Sequence, residues 1–180
     1  MIYFLIEKLS ITAVSRKPTP MIKSTGIILS VFLFLLFSCA STQPKQGELG
    51  DAKFYNSRGI AYGQKGQYDQ AISDFNKAIE INSMDAQTYN NLAWLFATAK
   101  VPRFRNGEKA VVLALKACEL SEWKNPGCLD TLAASYARVG DFGNATKWQE
   151  KALQLFEEGK KTEAQERLNL YRERKPWPLD

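Results

Sequence analysis

Along residues 52–175 apolar positions recur three and four apart, and polar residues fill the gaps between them. Tyr89, Leu92, Ala93 and Phe96 follow one another at spacings of 3, 1 and 3, which places all four on one face of a helix. Ala164, Leu168 and Tyr171 share a face in the same way, with charged residues elsewhere. The pattern predicts an all-α chain. The front of the sequence is different. From Gly26 to Phe37 it is an almost unbroken apolar run of 12 residues. A membrane-spanning helix needs about 20 residues, and the apolar part of a signal peptide needs roughly 7–15.

The helical pattern repeats. Tyr55, Gly59 and Tyr62 are followed by Gly66, Tyr68, Ala71, Phe75, Ala78 and Ile79. The same offsets return in Leu129, Leu132, Ala133 and Tyr136, then Gly140, Phe142, Ala145, Ala152 and Leu153. Small residues recur where two helices approach closely. Aromatics recur where a gap must be filled, and a glycine recurs where a helix must stop. A third copy lies between them: Tyr89, Leu92, Ala93 and Phe96, then Ala110, Ala114, Ala117 and Cys118. Its second helix starts about five residues late, after a long turn from Thr98 to Gly107 that contains Pro102.

These residues resemble the tetratricopeptide repeat (TPR), a helix-turn-helix unit of about 34 residues. The resemblance implies a TPR domain over 52–175, with repeats at about 52–85, 86–125 and 126–159. Three copies are near the minimum for a stable stack. Thr162 to Lys175 reads as a capping helix over the last apolar face, starting at Thr162 with Glu163 and Glu166 and ended by Pro176. Two positions depart from the family pattern. Arg58 stands where a leucine is usual, and Gln149 stands where repeat 1 has Phe75, with Trp148 beside it to compensate.

In this family the first helices of the units line a concave groove. The resemblance implies groove positions at Lys53, Asn56, Gln87, Asn90, Asn91, Trp94, Asp130 and Arg138, together with Ile60, Ala134 and Ala137. A side-chain amide offers both donor and acceptor to an extended peptide, and Trp94 would supply an apolar anchor. The alternative is that Asn90 and Asn91 cap local turns while Trp94 packs in the core. One subtype, the carboxylate clamp for acidic chaperone tails, wants Lys or Asn at Asn56 and Ile60. It also wants Asn at Asn91 and basic residues at Gly127 and Thr131. Asn91 fits best, and Ile60, Gly127 and Thr131 do not supply the groups wanted, so a chaperone-tail clamp is not expected.

Leu36-Phe37-Ser38-Cys39 resembles the lipobox of bacterial lipoproteins, in which the cysteine is lipidated and becomes the first mature residue. Lys23 supplies the positive residue in front of the apolar run. Phe37 departs from the smaller residue that the family prefers. The resemblance implies a signal peptide over 21–38, lipid on Cys39 and an outer-membrane address facing the periplasm. Residues 1–20 read as a lead-in, with translation expected to start at Met21. Residues 39–51 read as a flexible tether. The alternative is an uncleaved anchor carrying a cytoplasm-facing adaptor.

Charge and composition narrow the chemistry. The formal charge is +5. Residues 1–38 hold +3 of it and 39–180 the other +2. In the helical part basic residues alternate with acidic ones, which is no nucleic-acid footprint. Lys100, Arg103 and Arg105 beside Phe104 either meet an anion or form a solvated loop. The chain has no histidine, which removes Ser-His-Asp and Cys-His catalysis and His-bound zinc or haem. Cys118 and Cys128 suit two buried thiols better than a disulfide. The reading is a membrane-anchored, non-catalytic scaffold in cell-envelope assembly. Its partner is a protein or peptide. Nucleic acid, small-molecule substrate, cofactor and metal are not expected. Protein purified from native membranes is expected to have the mass of a chain beginning at lipid-bearing Cys39. The Cys39→Ser variant is expected to lose the lipid mass, and an unprocessed mass in the unsubstituted protein would contradict this reading.

Overall fold

The computed structural model describes residues 46–178, and the regular elements among them are helical. Within this span the α-helices follow in order: α1 Gln46–Gln64, α2 Tyr68–Ile81, α3 Ala86–Thr98, α4 Gly107–Leu120, α5 Pro126–Arg138, α6 Phe142–Leu155 and α7 Glu158–Arg172. A 3-10 turn, Pro102–Phe104, lies between α3 and α4. The most extensive packing is within the pairs α1–α2, α3–α4 and α5–α6. The pairs then stack, with α5 against both α3 and α4, and α7 closing the series against α6.

Each boundary has a local cause. Gly66 and Gly140 adopt φ of +75° and +84°, the left-handed conformation that ends α1 and α5 at low cost. Polar side chains cap the next helices. Asp85 accepts from the Gln87 backbone N–H, Asn106 from Lys109, and Asp141 from Asn144. Asn125 accepts from the Gly127 N–H at 2.8 Å, with Pro126 opening the helix.

Between the helices the side chains are small. Ala71, Ala78, Ala93, Ala97, Ala110, Ala114, Ala117, Ala133, Ala134, Ala145 and Ala152 are fully buried. Gly59 of α1 faces the Phe75 ring of α2 so closely that a Cβ there would lie 2.9 Å from two ring carbons. The aromatics fill the remaining space: Tyr68 packs against Phe104 at 5.1 Å, and Trp123 stacks on Trp148 at 5.0 Å. Trp123 and Glu122 reach that position through φ values of 60° and 52° in the turn after α4.

The structure moves two expected boundaries. The sequence pattern carries the tether to residue 51, yet α1 begins at Gln46. Pro44 is the last residue of that stretch that a helix interior cannot hold. Beyond it the chain continues the helix that packs on α2. The pattern also starts the closing helix at Thr162 and ends it at Lys175, yet it spans Glu158–Arg172. Extended Glu157 already turns the chain, and Lys161 pairs with Glu158 at 2.6 Å within the first turn. At the far end, left-handed Arg174 breaks the helix before Pro176 is reached. The lead-in over 1–20, the signal over 21–38, Cys39 and the start of the tether lie outside the described residues. No described helix is long and apolar enough to cross a membrane.

Gly59→Val would force the Phe75 ring off its site. Overpacking of this kind costs about 1–3 kcal/mol. The expected result is a lower urea midpoint with little change in the slope. An unchanged midpoint would show that α1 and α2 can separate freely.

Candidate partner-binding groove

The first helices of the three pairs, α1, α3 and α5, carry all the residues expected to face a groove. The structure brings one group of them together. Asn91 Nδ2 donates to Asn56 Oδ1 at 3.0 Å, and Gln87 Nε2 donates to Asn91 Oδ1 at 2.9 Å. This amide ladder joins α3 to α1. Each amide in it keeps hydrogen-bonding capacity beyond the bonds it makes here. Beside the ladder is a cavity of about 470 Å³ between α1 and α3. Ile60, Phe75, Trp94 and Leu95 give it apolar walls, and Asn91 reaches its rim. Trp94 is half-buried and lies under the Arg167 guanidinium, 5.8 Å from the ring centre. Trp94 is therefore both part of the packing and a wall of the cavity.

The other expected residues separate from this group. Lys53 is exposed on α1. Asn90 does not line the cavity, and its Oδ1 is buried with no hydrogen-bond partner among the described residues. Ala134 and Ala137 are buried. Arg138 donates from Nε to the Ala97 carbonyl at 2.9 Å. Its Nη2 donates to the carbonyls of Trp177 and Pro178 at 3.2 and 3.0 Å.

Asp130 is a correction to the groove assignment, because it is only 6% exposed. One of its oxygens accepts from Arg167 Nε at 2.9 Å and from Gln149 Nε2 at 2.6 Å. The same Gln149 nitrogen donates to the Ala164 carbonyl at 3.1 Å. Repeat 3 thus fills the place of Phe75 with a hydrogen-bonded glutamine, while Trp148 stacks on Trp123 instead. Burial pushes the Asp130 carboxyl above the usual range, against the pull of Arg167 and the Gln149 hydrogen bond. Repeat 1 has a more open counterpart: Arg58 grips Asp74 with two bonds of 2.7 and 2.8 Å.

The remaining candidate chemistry is structural. Arg105 holds its loop by donating to the carbonyls of Ala99 and Lys100, and Lys100 N–H donates to the Tyr68 hydroxyl. Cys118 and Cys128 are free and buried. Burial pushes the Cys118 thiol up to about 12 and raises that of Cys128, so both stay protonated and unreactive at neutral pH. Thr131, where a carboxylate clamp would place a cation, is 2% exposed. Among the described residues no group of His, Cys, Asp and Glu could hold a metal ion.

Three residues are not legible as functional from the sequence pattern: Gln149 and Arg167 as partners of Asp130, and Trp177 as a cover for the groove. Charged Arg167 sits between Ala164 and Leu168 on an otherwise apolar face, which is a usable signal. So is a tryptophan flanked by two prolines near the chain end.

Comparison with known proteins agrees with this geometry. Tetratricopeptide-repeat family models match residues 52–85 and 127–158, which flank the middle helix pair. No curated protein sequence matches the chain. Among solved structures, the first TPR of Spaghetti (RPAP3) bound to the HSP90 peptide SRMEEVD is similar, with a TM-score of 0.60 and 20% identity. The match covers 69% of this chain and 92% of that one.

Replacing Arg167 by Met leaves Asp130 buried without its cation. Breaking a buried pair in this way costs about 3–5 kcal/mol. The sign of the pH dependence follows from the raised carboxyl. A folded pKa above the unfolded value gives stability that is full below the unfolded pKa and lost as pH rises through the folded one. Without Arg167 the folded value rises further. The deficit of Arg167→Met relative to the unsubstituted protein is therefore expected to be larger at pH 7.5 than at pH 4.5 in urea melts. Equal deficits would mean that Asp130 is already neutral or solvated.

Proposed function

Because the chain is a tetratricopeptide repeat protein, we propose that it is a non-catalytic scaffold that binds a peptide segment of a partner protein between α1 and α3. It does so tethered to an envelope membrane through lipid on Cys39, at the outer membrane facing the periplasm. The observation that carries the binding site is the Asn56–Asn91 amide pair at the rim of an apolar cavity of about 470 Å³. An extended backbone needs a donor and an acceptor at fixed spacing, and paired amides supply both. An apolar side chain of the same peptide needs a desolvated pocket, which Trp94, Ile60 and Leu95 supply.

The similar RPAP3 domain is bound to a peptide, and that supports a peptide as the ligand class here. The positions of this chain do not favour an acidic tail of the SRMEEVD kind. Ile60 stands where Lys or Asn, and Gly127 and buried Thr131 where cations, would be needed to resemble a carboxylate clamp. The apolar lining favours a peptide with an apolar anchor instead. Support for the envelope comes from the Leu36–Cys39 motif and the preceding apolar run. The absence of histidine and the protonated thiols fit a protein that holds its partner without chemistry.

A photo-crosslinking residue at Ile60 is expected to capture the partner in native membranes, and one at exposed Glu119 is not. Trp94→Ala and Asn91→Ala are each expected to weaken the captured complex about 5- to 30-fold, the effect of losing about 1–2 kcal/mol at a contact. Capture that survives both substitutions would move the partner to another face.

A further inference from the structure

The cavity wall between α1 and α3 is completed by a segment from the far end of the chain. Trp177 and Pro178 line it together with Trp94. The route of the chain explains how they arrive there. At the end of α7 the backbone N–H groups of Arg174 and Lys175 donate to the carbonyls of Tyr171 and Leu170. Arg174 adopts φ of +58°, a conformation seldom taken by an arginine. Its guanidinium lies over the Phe142 ring at 5.5 Å. The chain is thereby turned back over α5 and α3 instead of running outward.

Beyond this turn the Pro176-Trp177-Pro178 segment is half-buried throughout. The Trp177 side chain packs on the cluster that contains Ala97, Ala133, Ala134 and Ala137, next to Trp94. Arg138 of α5 reads two successive backbone carbonyls of the segment, those of Trp177 and Pro178, while its Nε is fixed on the Ala97 carbonyl. This is how a peptide ligand is held: main-chain carbonyls on a fixed cation, one aromatic in an apolar seat, and proline rings that restrict the backbone before it docks. The segment has no regular structure and no proline N–H to offer, and among the described residues its hold includes the Arg138 guanidinium and the seat of the Trp177 indole. It covers the α5 end of the face and leaves the α1 end open as the cavity.

Resting on the groove reading above, we propose that this face recognises segments built around a proline-flanked aromatic residue. Its own C-terminal tail is the resident occupant, and an incoming segment of the same chemistry displaces it. Arg138, although turned away from the open cavity, is then the residue that both ligands share. A tail tethered this close acts at an effective concentration in the millimolar range, so an external peptide meets a standing competitor.

The test compares the full chain with the same chain ending at Lys175, by nitrogen-15 NMR of the Trp94 indole N–H and the Arg138 Nε–H. The probe is the synthetic peptide Lys-Pro-Trp-Pro-Leu-Asp. Removal of residues 176–180 is expected to shift both signals. The peptide is expected to return them saturably to their full-chain positions, and to bind the full chain at least about tenfold more weakly. A peptide with alanine in place of tryptophan is expected to have no effect. Trp177→Ser in the full chain should reproduce the truncated spectrum, and it spares the Arg138–Ala97 contact between α5 and α3. Signals unchanged by truncation, or equal peptide affinity for both chains, would overturn the proposal. A shift that varies with protein concentration would place the tail on a second copy and also overturn it. If the tail signals behave as expected but the Ile60 crosslinker captures nothing, the partner reading alone fails.

Discussion

The stack depends on how closely its helices can approach. A helix pair joined by a short turn gains burial only if its backbones come near enough to exclude water, and that distance is set by the smallest residues at the crossing. Here Gly59, Ala93 and Ala133 occupy equivalent places in α1, α3 and α5, and all three are buried. Ala71 lies beside Gly59, and Ala114 and Ala145 share buried clusters with Ala93 and Ala133 from the second helices. Aromatic rings then fill what the small residues leave open, as Phe75 does against Gly59. Larger residues at the crossings would widen the pairs and leave voids, which close-packed interiors do not tolerate.

That rigid frame allows polar residues where the pattern would otherwise demand apolar ones. Repeat 1 carries Arg58 at a position usually apolar, and its charge is absorbed by a two-pronged bond to Asp74. Repeat 3 goes further and buries Asp130, Gln149 and Arg167 together. The three come from α5, α6 and α7, so the network ties the closing helix to the last repeat with a specificity that apolar contact lacks. Desolvation of the carboxylate opposes it. The network fixes where α7 lies against the last repeat, and the tail leaves from the end of that helix.

The groove is therefore not a uniform face. Its α1 end is an amide ladder and an open apolar cavity. Its α5 end is buried alanine under a Pro-Trp-Pro segment, with Arg138 beneath. On the proposal above, peptide binding would turn on which segment lies on that second half.

The sequence by itself determined the helical class, the three pairs, the stop glycines and the late start of α4 at Gly107, because each rests on spacing and turn chemistry within a few residues. It also brought Asn56, Asn91 and Trp94 to the right helices. It misplaced Asp130 and the reach of Arg138, since burial there depends on α7 and on a tail 40 residues away. The start of α7 was misjudged for a local reason: extended Glu157 and the Glu158–Lys161 pair open the helix before Thr162 is reached. Local pattern specifies elements because backbone geometry is local. Which polar group is covered, and by what, is decided only when distant segments compete for the same surface, and that competition exists in the tertiary structure alone.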